Sequence, residues 1–218
     1  ASDIIKRGFG SSYNLIIDGK SYGRVELSVP GEHNVLNSLG AIGAAMEFDI
    51  EFDVIKRGLS EFSGVQRRMT VRFDSKDIKV IDDYGHHPTE IAATLRALRD
   101  AFSDYRVVVI FQPHRYSRTK LLMKEFSKSF FDADTLFITD IYAASEKPIE
   151  GVSSEVLIGE IKKRGFKDVH YLGTPSDFIS IVDNFIGQKT VFLTLGAGNI
   201  TNLSRELSSY LEGKDAKR

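Results

Sequence analysis

From residue 70 to about residue 211 the chain repeats one pattern: a short β-branched or aliphatic run, a polar turn, then a stretch with helical apolar spacing. The strand candidates are 70–73, 79–81, 107–111, 135–139, 169–172 and 191–195, and the helix candidates between and after them are 90–102, 117–131, 153–164, 176–186 and 200–211. Strands of this kind, alternating with helices, predict a mostly parallel sheet covered on both faces: an α/β, Rossmann-like fold. In such a sheet the carboxyl ends of strands and the amino ends of helices meet along one edge, where ligands bind. The strand-to-helix turns are therefore the places to look for chemistry.

The first 66 residues follow a different rule. Residues 1–27 read as strands, and Asp18-Gly19 between two strand-like runs predicts a hairpin. Gly19-Lys20-Ser21 imitates the end of a phosphate-binding P-loop, but Asn14 stands where that motif needs glycine and a hairpin is the wrong context. A thin helix rich in Gly and Ala is predicted from the Pro30-Gly31 turn to about Glu47, and a second over 53–62. A hairpin and two helices make a small core, so this segment reads as part of a domain. Helical spacing lapses over Ser63-Gly64-Val65-Gln66-Arg67-Arg68, which predicts a hinge and a division into 1–66 and 67–218.

The richest turn is Asp82-Asp83-Tyr84-Gly85-His86-His87-Pro88-Thr89-Glu90, between a strand candidate and a helix candidate. Carboxylates, a phenol and two imidazoles fall within a few residues, before a proline suited to the first turn of a helix. Each alone has a bland explanation: an aspartate caps a turn, a histidine faces water, Thr89 caps a helix. Together, at a strand end, they point to a site.

Two further turns add to it. Gln112-Pro113-His114-Arg115-Tyr116-Ser117-Arg118 places an imidazole and two guanidiniums at a strand end and helix start, a combination suited to a carboxylate or phosphate. Gly196-Ala197-Gly198 is a tight turn without the third glycine of a dinucleotide fingerprint. Ile141 to Glu146 forms another loop expected on the same edge. In the amino-terminal segment, His33 and Asn34 open a helix, either as a capping turn or as groups able to stack on and hydrogen-bond a purine.

Composition narrows the chemistry. Lys plus Arg number 29 against 30 Asp plus Glu, which argues against a nucleic-acid surface or a polybasic membrane patch. No cysteine occurs, so thiol nucleophiles and thiolate metal sites are excluded. No apolar run is long enough for membrane insertion, and a cytoplasmic location is the expectation.

Four ordered stretches resemble the Mur ligase family: Gly31-Glu32-His33-Asn34-Val35-Leu36-Asn37, Asp82-Asp83-Tyr84-Gly85-His86-His87-Pro88, Phe111-Gln112-Pro113-His114-Arg115-Tyr116-Ser117-Arg118-Thr119 and Gly196-Ala197-Gly198. Family members have a UDP-sugar domain, a central ATPase domain and a C-terminal Rossmann-like domain. The resemblance implies that 1–66 is the end of the central domain and 67–218 the C-terminal one. The P-loop, the magnesium ligands and the UDP-sugar site would then lie in a missing N-terminal half of the same polypeptide. The implied activity is ATP-dependent addition of L-alanine to UDP-N-acetylmuramate through an acyl phosphate, in peptidoglycan synthesis, with Mg2+ as the metal and this chain inactive alone.

Carried over by motif position, His33, Asn34 and Asn37 would contact adenine, Arg68 the nucleotide and Asp83 the ribose. Tyr84 and His86 would face the incoming alanine, and His114, Arg115 and Arg118 would hold its carboxylate. A ligase attaching a tripeptide to the same sugar acid is the alternative within the family, although its pattern lacks the His-Arg-x-x-Arg arrangement. Outside it stand a non-catalytic nucleotide- or amino-acid-binding module and, less suited to ligand geometry, a metal hydrolase using Asp82, Asp83, His86 and His87.

Overall fold

The computed structural model describes residues 1–215, which divide into two units: Ala1–Val65 with Arg96–Ser103, and Gln66–Leu95 with Asp104 onward. In the first unit, strands β1 (Ser2–Arg7), β2 (Gly10–Ile17) and β3 (Lys20–Leu27) form an antiparallel sheet, followed by helices α1 (Glu32–Glu47) and α2 (Phe52–Glu61). Asp18 and Gly19 both take positive φ, 49° and 77°, the two-residue turn whose twist matches a hairpin. Gly19-Lys20-Ser21 therefore belongs to a strand-turn-strand and cradles no phosphate. The expected hairpin gains a third strand, since β1 pairs with β2. Ile4 and Ile5 in β1 are both exposed, so no inside-outside alternation marked it.

Alternation is clear in the other two strands: Tyr13 and Leu15 on β2, and Val25 and Leu27 on β3, bury one face in a cluster with Val35, Ile42 and Ile55. Val35 and Ile42 stand seven residues apart, two helical turns, so one stripe of α1 meets the sheet. The buried Tyr13 hydroxyl is satisfied by Ser38 Oγ at 2.6 Å.

The second unit contains β4 (Thr70–Asp74), β5 (Ile78–Asp83), α3 (Pro88–Ala101, whose last turn clusters with the first unit), β6 (Arg106–Phe111), α4 (Tyr116–Leu121), α5 (Met123–Phe126), β7 (Thr135–Thr139), α6 (Ser154–Lys163), β8 (Val169–Gly173), β9 (Thr190–Leu195) and α7 (Thr201–Asp215). The sheet order is β4-β5-β9-β6-β7-β8, parallel throughout except for the antiparallel edge strand β4. β6, β7 and β9 are buried along nearly their whole length, as strands covered on both faces must be. On one face Val80, Val108, Ile110 and Phe192 form a cluster with Leu203, Leu207 and Leu211 of α7.

Two helix expectations are corrected. The segment 117–131 breaks into α4 and α5 at Leu122, and the chain turns after Phe126, where Ser127 and Ser129 hydroxyls bond back to the Lys124 and Glu125 carbonyls. Phe126 and Phe130 both reach Phe111, at 5.7 and 5.2 Å between ring centres. Packing sets the path there, and Leu121 is left exposed. The segment 176–186 is two 3-10 turns, Pro175–Ser180 and Val182–Phe185, opened by a reciprocal Thr174–Asp177 cap. Phe178, Val182 and Phe185 are buried at spacings that α and 3-10 turns share, so periodicity could not separate the two.

The last strand, β9, inserts between β5 and β6. The turns after β5, β9, β6 and β7 are thereby neighbours along the carboxyl edge of the sheet. Among the described residues no helix is long and apolar enough to cross a membrane.

Candidate functional site

The turn after β5 is built on two buried aspartates with different partners. Asp82, fully buried, accepts from Thr194 Oγ1 at 3.0 Å, Thr201 Oγ1 at 2.6 Å and Arg72 Nη2 at 3.3 Å, which ties β5 to β9, α7 and β4. Asp83, 2% exposed, accepts from Met69 N at 2.9 Å, Gly85 N at 2.7 Å and Thr94 Oγ1 at 3.4 Å. Burial pushes the Asp83 carboxyl above its usual range, against the pull of those backbone donors. Buried and held by these three donors, Asp83 anchors the turn.

Glu90 completes the turn. Its Oε2 accepts from the amides of His86 (3.0 Å) and His87 (3.2 Å), and Pro88 opens α3 as expected. Against the effect of its burial, those amides hold the Glu90 carboxyl below its ordinary value. Glu90 Oε1 also holds the half-exposed Arg68 at 3.3 Å. Thr89 is not the cap; its amide faces His87 Nδ1.

On this frame stand Tyr84, His86, His114 and Tyr142. Tyr84 and His86 meet edge to face at 5.4 Å, His86 and His114 lie 6.1 Å apart, and His114 stacks on Tyr142 at 5.4 Å with 14° between planes. The hydrogen bonds fix which ring nitrogen of each imidazole carries the proton. His86 Nδ1 lies 3.1 Å from the Tyr84 carbonyl, which can only accept, so in the neutral ring Nε2 is left as a proton acceptor. Arg118 Nη1 can only donate to His114 Nδ1, at 3.2 Å, so His114 carries its proton on Nε2 as a donor. Burial, and then the Arg118 charge, pull the His114 imidazole below its ordinary value.

The start of α4 differs from its expectation. Glu146 already occupies it, accepting from Ser117 N at 2.9 Å and from Ser117 Oγ at 2.6 Å. A carboxylate arriving here would meet the side chains of Arg118 and His114 and the exposed Arg115, and not a bare helix end. Arg115 itself takes a positive φ of 73°.

The expected residues thus fall into two groups. Asp83, Tyr84, His86, His114, Arg115, Arg118 and Arg68 all belong to the second unit, the imidazoles and Arg118 in direct sequence of contact. His33, Asn34 and Asn37 lie at the start of α1 in the first unit. There Asn34 donates to Pro30 O at 2.7 Å and accepts from Asn37 Nδ2 at 3.2 Å, while the cap position is Gly31, without a side-chain cap bond. A Cβ at Gly31, whose φ is 93°, would lie 2.5 Å from His33 Cε1, so the imidazole folds over the helix start.

Sequence reasoning passed over Arg67 and Gln112. Arg67, placed there only in the hinge, donates to the carbonyls of Gly196 (2.7 Å) and Gly198 (3.2 Å) and lies over the Tyr84 ring. Gln112 accepts from Ile200 N and donates to Asn199, bracing the glycine turn. The place of Gln112 inside a motif and of Arg67 in the hinge were the signals the sequence offered. Among the described residues no group of three or more His, Asp or Glu could hold a metal ion, and Asp82 faces Thr201 and Arg72.

A mostly parallel sheet with imidazole and guanidinium groups gathered at its carboxyl edge defines an α/β domain, and comparison gives its family. Residues 67–198 match the family model described as Mur ligase, glutamate ligase domain, and this chain belongs to the Mur ligase family. It is 48% identical over 98% of its length to the UDP-N-acetylmuramate--L-alanine ligase of Geotalea uraniireducens (strain Rf4), and 46% identical over 92% to that of Geobacter sp. (strain M21). It spans less than half of these relatives, 46% and 43% of their lengths. The crystal structure of the UDP-N-acetylmuramate-alanine ligase of Thermotoga maritima superposes over 99% of this chain and 45% of its own, with a TM-score of 0.81 at 29% identity.

Proposed function

We propose that the chain is the amino-acid-receiving part of an ATP-dependent ligase that joins L-alanine to UDP-N-acetylmuramate in peptidoglycan synthesis. Residues 67–218 form the C-terminal domain in this reading and residues 1–66 the end of the central, ATP-binding one. The relatives' names and lengths support it, and the single observation that carries it is the Arg118–His114–His86 arrangement. Arg118, the His114 Nε2 donor and Arg115 hold a carboxylate. His86 Nε2 offers a proton acceptor one imidazole away, at 6.1 Å between ring centres. One small zwitterion with a hydrogen bond of about 2.8 Å at each end bridges such a separation.

An α-ammonium is no nucleophile until it loses a proton. His86 Nε2 takes that proton, and Tyr84, edge-on to His86, orients it. The freed amine then attacks the carbonyl of an acyl phosphate formed from ATP and the sugar acid, expelling phosphate. The protein's share is positioning and charge complementarity. Arg68, half-exposed, faces the nucleotide in this reading, with His33, Asn34 and Asn37 available to adenine and Asp83 holding the turn in place. No metal set fits the described residues, so the Mg2+ that accompanies ATP in this family is assigned no ligand and no step here.

The test is phosphate release by the full polypeptide supplied with ATP, UDP-N-acetylmuramate and single amino-acid donors. L-alanine-dependent release is expected. Release driven by the tripeptide and not by alanine would assign the chain to the other branch. Saturable alanine or ADP binding without turnover would make it a binding module.

A further inference from the structure

We infer that Tyr142 is the positioning residue of the anion clamp, acting through His114 to set where Arg118 and the His114 Nε2 donor point. This rests on the ligand reading just given, and no part of that reading used Tyr142.

Several independent contacts converge on this side chain. Its ring stacks nearly parallel on His114, at 5.4 Å and 14°. Its backbone forms a parallel bridge to the same residue: Tyr142 N donates to Pro113 O and Arg115 N donates to Tyr142 O, both at 2.8 Å. The glycine turn makes room for it as well, because a Cβ at Gly198 would lie 2.8 Å from Tyr142 Cγ. Thus the ring touches both the glycine turn after β9 and the imidazole of the turn after β6, and it covers one face of His114.

The loop that carries Tyr142 is fixed at both ends. After Tyr142, Ala144 and Ser145 adopt φ of 47° and 71°, a left-handed path that non-glycine residues take only under restraint. Glu146 supplies the restraint through its two bonds to Ser117 at the start of α4. His114 and Arg118 flank that start, and Arg118 Nη1 reaches both the His114 ring and the His114 carbonyl. A loop latched this firmly, with a half-exposed aromatic ring at its centre (39%), holds an orientation that an isolated histidine in a turn would not keep.

The experiment has an arm that needs no catalysis. In the 218-residue chain, histidine Cε1 resonances are titrated for wild type, Tyr142→Phe and Tyr142→Ala. Besides Tyr142 itself, the charged and titratable groups around His114 are Arg118, His86, Arg115 and Glu146, and none of these is altered. Removing the ring uncovers the imidazole, so Tyr142→Ala is expected to titrate His114 at higher pH, and Tyr142→Phe, which keeps the ring, at the wild-type value. An unmoved His114 in Tyr142→Ala overturns the inference. If that variant does not fold, Tyr142→Leu takes its place with the same expected and overturning results.

The second arm measures ligation by the full polypeptide. Loss of the ring should raise the amino-acid KM by roughly tenfold to a hundredfold, the scale of a small misplacement of a positioned group, with kcat and the ATP KM little changed. Tyr142→Phe should recover most of that affinity. A fall in kcat at unchanged amino-acid KM overturns the clamp role. Should wild type show no amino-acid-dependent turnover, the ligase reading fails, while the titration still decides the role of Tyr142.

Discussion

The Arg67 guanidinium lies over the Tyr84 ring, 4.7 Å from its centre, while the Arg67 carbonyl accepts from the Tyr84 amide at 2.6 Å. One residue therefore holds its neighbour in the site by both backbone and side chain. The guanidinium is aligned in turn by the buried Asp82, 3.9 Å away, and by the carbonyls of Gly196 and Gly198. Arg67→Met keeps the stem and removes these charge-assisted bonds, which should cost about 2–3 kcal/mol. Arg67→Lys should recover only part, because an ammonium cannot bridge two carbonyls and cover a ring at once. Urea midpoints at constant slope measure both, and a Met variant within about 0.5 kcal/mol of wild type would contradict the linkage.

Gly198→Ala is expected to loosen the same edge from the other side. The added Cβ would overlap Gln112 Oε1, which accepts from Ile200 N, and press on Tyr142. Overpacking of this kind costs about 1–3 kcal/mol. Thermal melts give the size of the effect. Nuclear Overhauser contacts between His114 and Tyr142 give its place, and retention of both melting point and contacts would show that the turn has slack.

Arg118→Ala should raise the amino-acid KM of the full polypeptide by roughly tenfold to a hundredfold, the equivalent of one charge-assisted bond, with the ATP KM little changed. A zwitterion as small as alanine presents little apolar area, so such bonds must supply most of its binding. An unaltered amino-acid dependence would remove Arg118 from the clamp. A parallel rise in the ATP KM would move it to the nucleotide side.

The sheet was legible because its strands are continuous apolar runs between polar turns: residues 107–111 and 191–195 became β6 and β9 almost residue for residue. The site was legible for a related reason. Parallel strands bring their carboxyl ends to one edge, so residues as distant as His86, His114 and Gly198 could be expected there together. What stayed hidden was which polar groups turn inward. Asp82 and Asp83 are adjacent and chemically alike, yet each binds a different set of elements, because alternate residues of a strand face opposite sides of the sheet. Arg67 and Arg68 look like one linker pair, but the positive φ of Arg67, 59°, accompanies a side chain that points inward while Arg68 stays with Glu90. Glu146 was expected on this edge with its loop, but nothing in its own sequence neighbourhood announces that it fills the start of a helix nearly thirty residues earlier.

His114 gives the pH dependence a definite sign. Its ordinary value is 6.5, and burial, followed by the Arg118 charge, lowers it in the folded chain. Between the lowered value and 6.5 the unfolded chain binds a proton that the folded chain refuses, so stability linked to this residue rises with pH through that window and is complete above it. It is lost as pH falls through the same interval. Arg118→Gln removes the second cause and leaves the first, so the His114 midpoint should move up toward 6.5 without reaching it. Histidine Cε1 titration from about pH 5 to about pH 8 reads the midpoint directly, and urea midpoints over the same range should show a shallower slope in the variant. If the midpoint stays where it is in wild type, the Arg118 charge does not act on the His114 imidazole and the second cause is wrong.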